Sequence, residues 1–135
     1  MAFNRFLIPT LLAAFAVGGC SNSVKPPIEG RADPFDAQQI HFATEDLRRS
    51  TAVGTPTASR DDAGNILYVT VPIRSAVNQT LYVDYRVSFF DKSGQLLNQT
   101  GWLSKTLEAN VPDRVQVNSL GPRAANFQVD FRYAR

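Results

Sequence analysis

The feature that most limits what this chain can fold into is a strict two-residue alternation through its middle. Leu67, Val69, Val71 and Ile73 are apolar, with Tyr68, Thr70, Pro72 and Arg74 between them. After Ala76-Val77-Asn78-Gln79 the pattern resumes: Leu81, Val83, Tyr85, Val87 and Phe89 on one side, Tyr82, Asp84, Arg86, Ser88 and Phe90 on the other. Side chains of an extended strand point alternately to opposite faces, so each run predicts a strand with one face in a core. With only a short turn between them, the two strands are expected to pair antiparallel.

Shorter signals complete an all-β reading. Asp91-Lys92-Ser93-Gly94 predicts a chain reversal, because Asp suits the first position of a type I turn and Gly accepts the left-handed position after it. Strands are expected at Trp102 to Leu107, at Arg114 to Ser119 and at Phe127 to Tyr133, where Phe127, Val129, Phe131 and Tyr133 share a face. Upstream, Gln39 to Phe42 reads as a first strand and Thr44 to Arg49 as one helical turn capped by Thr44. A polar strand from Ala52 to Ser59, interrupted by Gly54 and Pro56, suits a sheet edge and leads into the turn Asp61 to Asn65. The sum is about seven short strands, the pattern of an antiparallel Ig-like β-sandwich, with no internal repeat and no helical apolar spacing in the body of the chain.

The first 19 residues have a different character. Arg5 is the one charge ahead of Cys20, and Phe6 to Val17 is an apolar run broken by Pro9, short of the ~20 residues a spanning helix needs. Residues 1–19 are therefore expected to be a signal peptide. Val17-Gly18-Gly19-Cys20 resembles the bacterial lipobox, in which small residues precede a cysteine that is acylated and becomes the new N-terminus after cleavage between Gly19 and Cys20. Val17 stands where leucine is commonest. One acyl chain binds a bilayer only reversibly, whereas the two or three of a lipobox protein hold it there. Ser21 follows the cysteine, not Asp, which by resemblance to enterobacterial sorting implies the periplasmic face of the outer membrane. Residues 20–35, with Pro26, Pro27 and Pro34, read as a lipidated cysteine and flexible tether ahead of a domain at 36–135.

Composition excludes several function classes. The net charge of +2 becomes +1 once Arg5 leaves with the leader, too little for a general attraction to nucleic acid. His41 is the one histidine and Cys20 the one cysteine, so neither nucleophilic catalysis nor a zinc set has its residues, and no enzyme, metal or cofactor is expected. Asp61-Asp62 and Glu45-Asp46 lie where acids cap or solvate turns. No glycine-rich phosphate loop follows a strand, and Asn78-Gln79-Thr80 and Asn98-Gln99-Thr100 read as turn residues despite matching a glycosylation acceptor.

The run Leu67-Tyr68-Val69-Thr70-Val71-Pro72-Ile73-Arg74-Ser75, the segment Leu81 to Gly94, Trp102, and Ala124-Ala125-Asn126-Phe127 through Arg132 together resemble the YcfL family (DUF1425) of predicted periplasmic lipoproteins. Ser75 stands where that family usually has Asn, and Phe89-Phe90 where its aromatic pair often includes Trp. The resemblance covers residues 40 to 135 and the lipobox. It implies an Ig-like sandwich tethered in the envelope and carries no activity. Some members are encoded near a lipoprotein activator of cell-wall synthases, which points by association to envelope assembly.

For a site, the polar side of the second central strand stands out: Tyr82, Arg86 and Phe90, with Tyr68 across the expected hairpin and Arg132 on the last strand. Aromatic and Arg side chains exposed together are what protein interfaces favour. The same residues could instead be a closed second face, with Asp84 paired to Arg132 and Asp130 to Arg86. The sequence thus leads to a non-enzymatic protein-interaction module acting with an envelope partner. The alternative is a glycan or small-ligand binding module that uses Trp102 and the tyrosines as stacking surfaces.

Overall fold

The computed structural model describes residues 39–135; the signal segment, Gly19, Cys20 and the tether lie outside the described residues. Nine strands and one short helix follow in order: β1 (Ile40–Phe42), α1 (Glu45–Ser50), β2 (Thr51–Val53), β3 (Thr57–Arg60), β4 (Leu67–Ser75), β5 (Leu81–Phe90), β6 (Leu96–Gln99), β7 (Leu103–Leu107), β8 (Asp113–Asn118) and β9 (Asn126–Tyr133). They form two sheets packed as a sandwich, the expected architecture. One sheet orders β1-β9-β5 with β6 and β7 beyond, and the other centres on β4, flanked by β8 and by β2 and β3. β4 pairs with β8 and β5 with β9 in opposite sheets, the B–E and C–F pairings of an Ig-like fold. One pairing departs from the antiparallel rule: β1 runs parallel to β9, with Ile40 opposite Val129.

The alternation does what it predicted for burial. Leu67, Val69, Val71 and Ile73 of β4 and Leu81, Val83, Val87 and Phe89 of β5 all lie in the core, with Phe127, Val129 and Phe131 of β9, Leu107 of β7, Val115 of β8 and Leu47 of α1. Full burial of side chains such as Phe89 and Phe131 contributes roughly 1.5–3 kcal/mol each. Phe131 is stacked with Phe42 at 5.5 Å between ring centroids and tilted against Tyr85 at 6.3 Å. Thr44 caps α1 as expected, its hydroxyl accepting from the Leu47 N–H at 3.2 Å.

The expected pairing of β4 with β5 is overturned. The two strands belong to different sheets and face each other across the core. The connection is an arch whose geometry Ser75 fixes. Its fully buried hydroxyl lies 2.8 Å from the Gln79 carbonyl and 3.1 Å from that of Val77, while the Ala76 N–H turns away to the Ser50 carbonyl. A strand with one apolar face can meet the next strand edge to edge or face to face, and alternation is the same in both cases.

Each sheet has an interrupted strand along its central strand. β2 covers Thr51–Val53 and β3 covers Thr57–Arg60 where one strand was expected, because the segment from Gly54 to Pro56 lies against only Pro72 and Val71 of β4, which shifts the register, and Pro56 has no N–H to give the ladder. The Gly54 N–H still reaches the Pro72 carbonyl. Along β5, β6 and β7 are parted at Thr100, whose N–H donates to the Val87 carbonyl at 2.9 Å and whose hydroxyl accepts from the Val87 N–H at 3.0 Å. The reversal before β6 is the expected one: Asp91 Oδ1 accepts from the Ser93 and Gln95 N–H groups, and Gly94 has φ +85°.

Candidate functional site

The outward face of the β1-β9-β5-β7 sheet is built in rows across the strands. Residues opposite each other in register share a face, so the outward positions of β5 meet those of β9: Asp84 with Arg132, Arg86 with Asp130, Ser88 with Gln128 and Phe90 with Asn126. β1 adds His41 beside Asp130, and β7 adds Ser104 beside Asp84.

Ion pairs run along these rows. Arg132 donates from Nε and Nη2 to Asp84 Oδ2 at 3.2 and 3.1 Å, and the Ser104 hydroxyl reaches Asp84 Oδ1 at 2.7 Å. Arg86 Nε donates to Asp130 Oδ2 at 2.9 Å, while Asp130 Oδ1 accepts from Gln128 Nε2 at 2.9 Å and lies 3.7 Å from His41 Nδ1. One row along, Gln99 Nε2 donates to the Ser88 hydroxyl at 2.7 Å. The Ser104 hydroxyl, and then the Arg132 guanidinium, hold the Asp84 carboxyl below the usual carboxylate range against the opposing effect of burial.

Trp102 joins the rows. It follows the break between β6 and β7, and its ring centroid lies 3.9 Å from Arg132 Cζ and 4.7 Å from Arg86 Cζ. Both are cation–π distances. The acids form the floor of this cluster and the arginines its upper layer. Asp84 and Asp130 side chains are 8 % and 16 % exposed, against 22 % for Arg132 and 35 % for Arg86. The face therefore turns preorganised cationic and aromatic groups outwards, with its carboxylates beneath them.

Four of the five expected interface residues share this face. Arg86 and Arg132 stand at its centre; Tyr82, 64 % exposed, and the half-buried Phe90 stand at opposite ends of β5's outward row. Tyr68 does not join them. It projects from β4, opposite Ser59 and Asn118, on the outer face of the other sheet. The cause is the arch at Ser75, which sends β5 across the core and not alongside β4. The tyrosines are likewise dispersed: Tyr85 packs on Phe131, and the Tyr133 hydroxyl donates to Asp46 Oδ2 at 2.6 Å. Only Tyr82 shares the face of Trp102. The pairs Asp84–Arg132 and Asp130–Arg86 were legible as an alternative reading, because alternation put all four on one side. The seating of Trp102 over both arginines was not, since it depends on the break before β7.

Among the described residues no three His, Cys, Asp or Glu side chains gather to hold a metal ion, and no helix is long and apolar enough to cross a membrane.

A two-sheet β-sandwich that carries an ion-paired aromatic face on one sheet is the class these observations define. Residues 38–133 match the family model described as "Protein of unknown function (DUF1425)", and the chain belongs to that family. Two solved structures share the fold. The Campylobacter jejuni protein cj0090 superposes with a TM-score of 0.62 at 19 % identity, covering 71 % of this chain and 98 % of its own. A DUF1425 family member from Shewanella sp. pv-4 does so with a TM-score of 0.57 at 18 % identity, covering 63 % and 79 %. No curated protein sequence matches the chain.

Proposed function

We propose that this DUF1425 protein is a lipoprotein of the YcfL kind, acylated on Cys20 and held on the periplasmic face of the outer membrane. Its sandwich acts there as a non-enzymatic docking module for a protein partner in cell-envelope or cell-wall assembly. The observation that carries the docking reading is the state of the Tyr82-Arg86-Trp102-Arg132 surface. Its arginines are locked by Asp84 and Asp130 and stacked on Trp102, so little side-chain entropy remains to be lost on binding, while Tyr82 extends into water beside them. Trp, Tyr and Arg are the residues on which interface energy concentrates. The lipobox, with the tether after it, supports the address.

The test is photo-crosslinking in intact cells from a reactive group placed at the exposed Thr106, opposite Tyr82 in the register, alongside fractionation of a Cys20→Ala variant. The expected result is one dominant envelope protein crosslinked, lost on Arg86→Ala, with Cys20→Ala leaving the membrane fraction. Recovery of no protein above background, together with a raised melting temperature in peptidoglycan fragments, would replace this reading with that of a glycan-binding module.

A further inference from the structure

The end of the sandwich from which the tether leaves is set by strand direction. β1 runs parallel to β9, and the Gln39 carbonyl just ahead of it accepts from the Val129 N–H, so the chain enters the domain where β9 begins. The same end holds the close of β5 and the Asp91–Gly94 turn, because β5 is antiparallel to β9. It also holds the connection from β8 to β9, since Ser119 is bonded to Leu67 at the start of β4.

That connection carries Leu120, at 80 % exposure the most exposed large apolar side chain among the described residues. The residues on either side of it are fixed. The Ser119 N–H donates to the Leu67 carbonyl at 2.8 Å, and its buried hydroxyl accepts from the Leu67 N–H at 2.9 Å and donates to the Gly121 carbonyl at 3.0 Å. Leu120 is thereby held outwards at a cost in hydration that nothing in the domain recovers. Leu96, opposite Phe90, adds a second exposed apolar side chain at the same end.

Resting on the lipid-anchor reading above, we propose that this end is the bilayer-facing end, with Leu120 seated in the headgroup region of the membrane that holds Cys20. The occupant is a lipid surface, because the chain leaves here and an anchor nineteen residues before Gln39 can be at most about 65 Å away. One leucine partitions weakly, but the tether makes its contact intramolecular, so weak affinity suffices. The contact is apolar in character: Arg60, Lys92 and Arg123 at this end are matched by Asp61, Asp62 and Asp91, and Asp91 stays ionised through its bonds to Ser93 and Gln95. Electrostatic attraction to anionic lipid therefore contributes little, and the contact is insensitive to salt.

The experiment uses the full acylated protein in phosphatidylethanolamine and phosphatidylglycerol vesicles, with a nitroxide on Leu120→Cys or, at the opposite end, on the exposed Val111→Cys. Acylated Cys20 takes no label, so the new thiol is the one that reports. The expected result is a severalfold loss of collisions with an aqueous nickel reagent at position 120 on vesicle binding, unchanged in high salt, with position 111 left in water. Vesicle flotation is read on the same samples. Protein that floats with both labels in water, or with position 111 immersed, overturns the orientation and leaves the anchor standing. Shielding of position 120 that is equal without vesicles overturns it in favour of self-association. Protein that fails to float removes the anchor, and the orientation with it.

Discussion

Arg132 is held from two sides, its guanidinium bonded to Asp84 and lying 3.9 Å from the centroid of the Trp102 ring. The strand register supplies the first contact, because residues 84 and 132 are direct partners. The break before β7 supplies the second. Removing the indole should therefore loosen the arginines more than it disturbs the core. Trp102→Ala is expected to destabilise the domain by about 1–3 kcal/mol, the range of a half-buried cation–π contact plus lost apolar area. Urea unfolding would read this, and the crosslink from position 106 should fall along with it.

Asp84 gives the acid behaviour of the site. Its carboxyl titrates below its ordinary value in the folded chain, so the unfolded state binds the proton more readily. The stabilisation is therefore complete above the unfolded pKa, near 4, and is lost as pH falls through the lower folded value. An Asp84→Asn variant should be less stable at neutral pH and should lose less of its remaining stability between about pH 5 and 2. Equal acid slopes for the two proteins, measured by urea midpoints across that range, would contradict the assignment.

Ser75 fixes the arch that separates the two central strands. Ser75→Ala removes a buried hydroxyl and leaves the Gln79 carbonyl without that donor, a loss of about 1–3 kcal/mol. A drop in the urea midpoint with an unchanged slope is expected, since the strands keep their sheets. Ser75→Asn tests whether the residue usual in the YcfL pattern can take over the arch; it should recover part of the loss if its side chain reaches the same carbonyls.

Tyr82 and Tyr68 give a paired test of the docking face. Both are exposed, so either Ala variant should change stability by less than about 0.5 kcal/mol. Tyr82→Ala should abolish partner capture by the acylated protein, and Tyr68→Ala, on the opposite sheet, should leave it intact. Loss of capture in both variants would mean that the partner does not bind one face.

Much of this molecule is legible in its residues alone. Alternation identifies the buried sides of β4 and β5, the Asp91–Gly94 turn follows from residue chemistry, and Thr44 declares the start of α1. Strand β6 gives no such signal, because Leu96-Leu97-Asn98-Gln99 has no alternation of its own and its bulge against Phe89 and Phe90 breaks what pattern there is. Two strands read as one at Gly54 to Pro56, where the backbone stays on the same edge, Gly54 still bonds to Pro72, and the register shifts by one residue before Thr57.

Residue order dictates which side of each long strand is apolar, because a period of two gathers those side chains on one face that must be covered. Which strands become neighbours is settled only in three dimensions. An apolar face is satisfied equally by a partner beside it or one across the core, so the choice falls to the long registers of β4 with β8 and of β5 with β9, and the buried Ser75 hydroxyl closes the arch between them. That choice separates Tyr68 from Tyr82, sets Arg86 and Arg132 against Asp130 and Asp84, and leaves room for Trp102 above them.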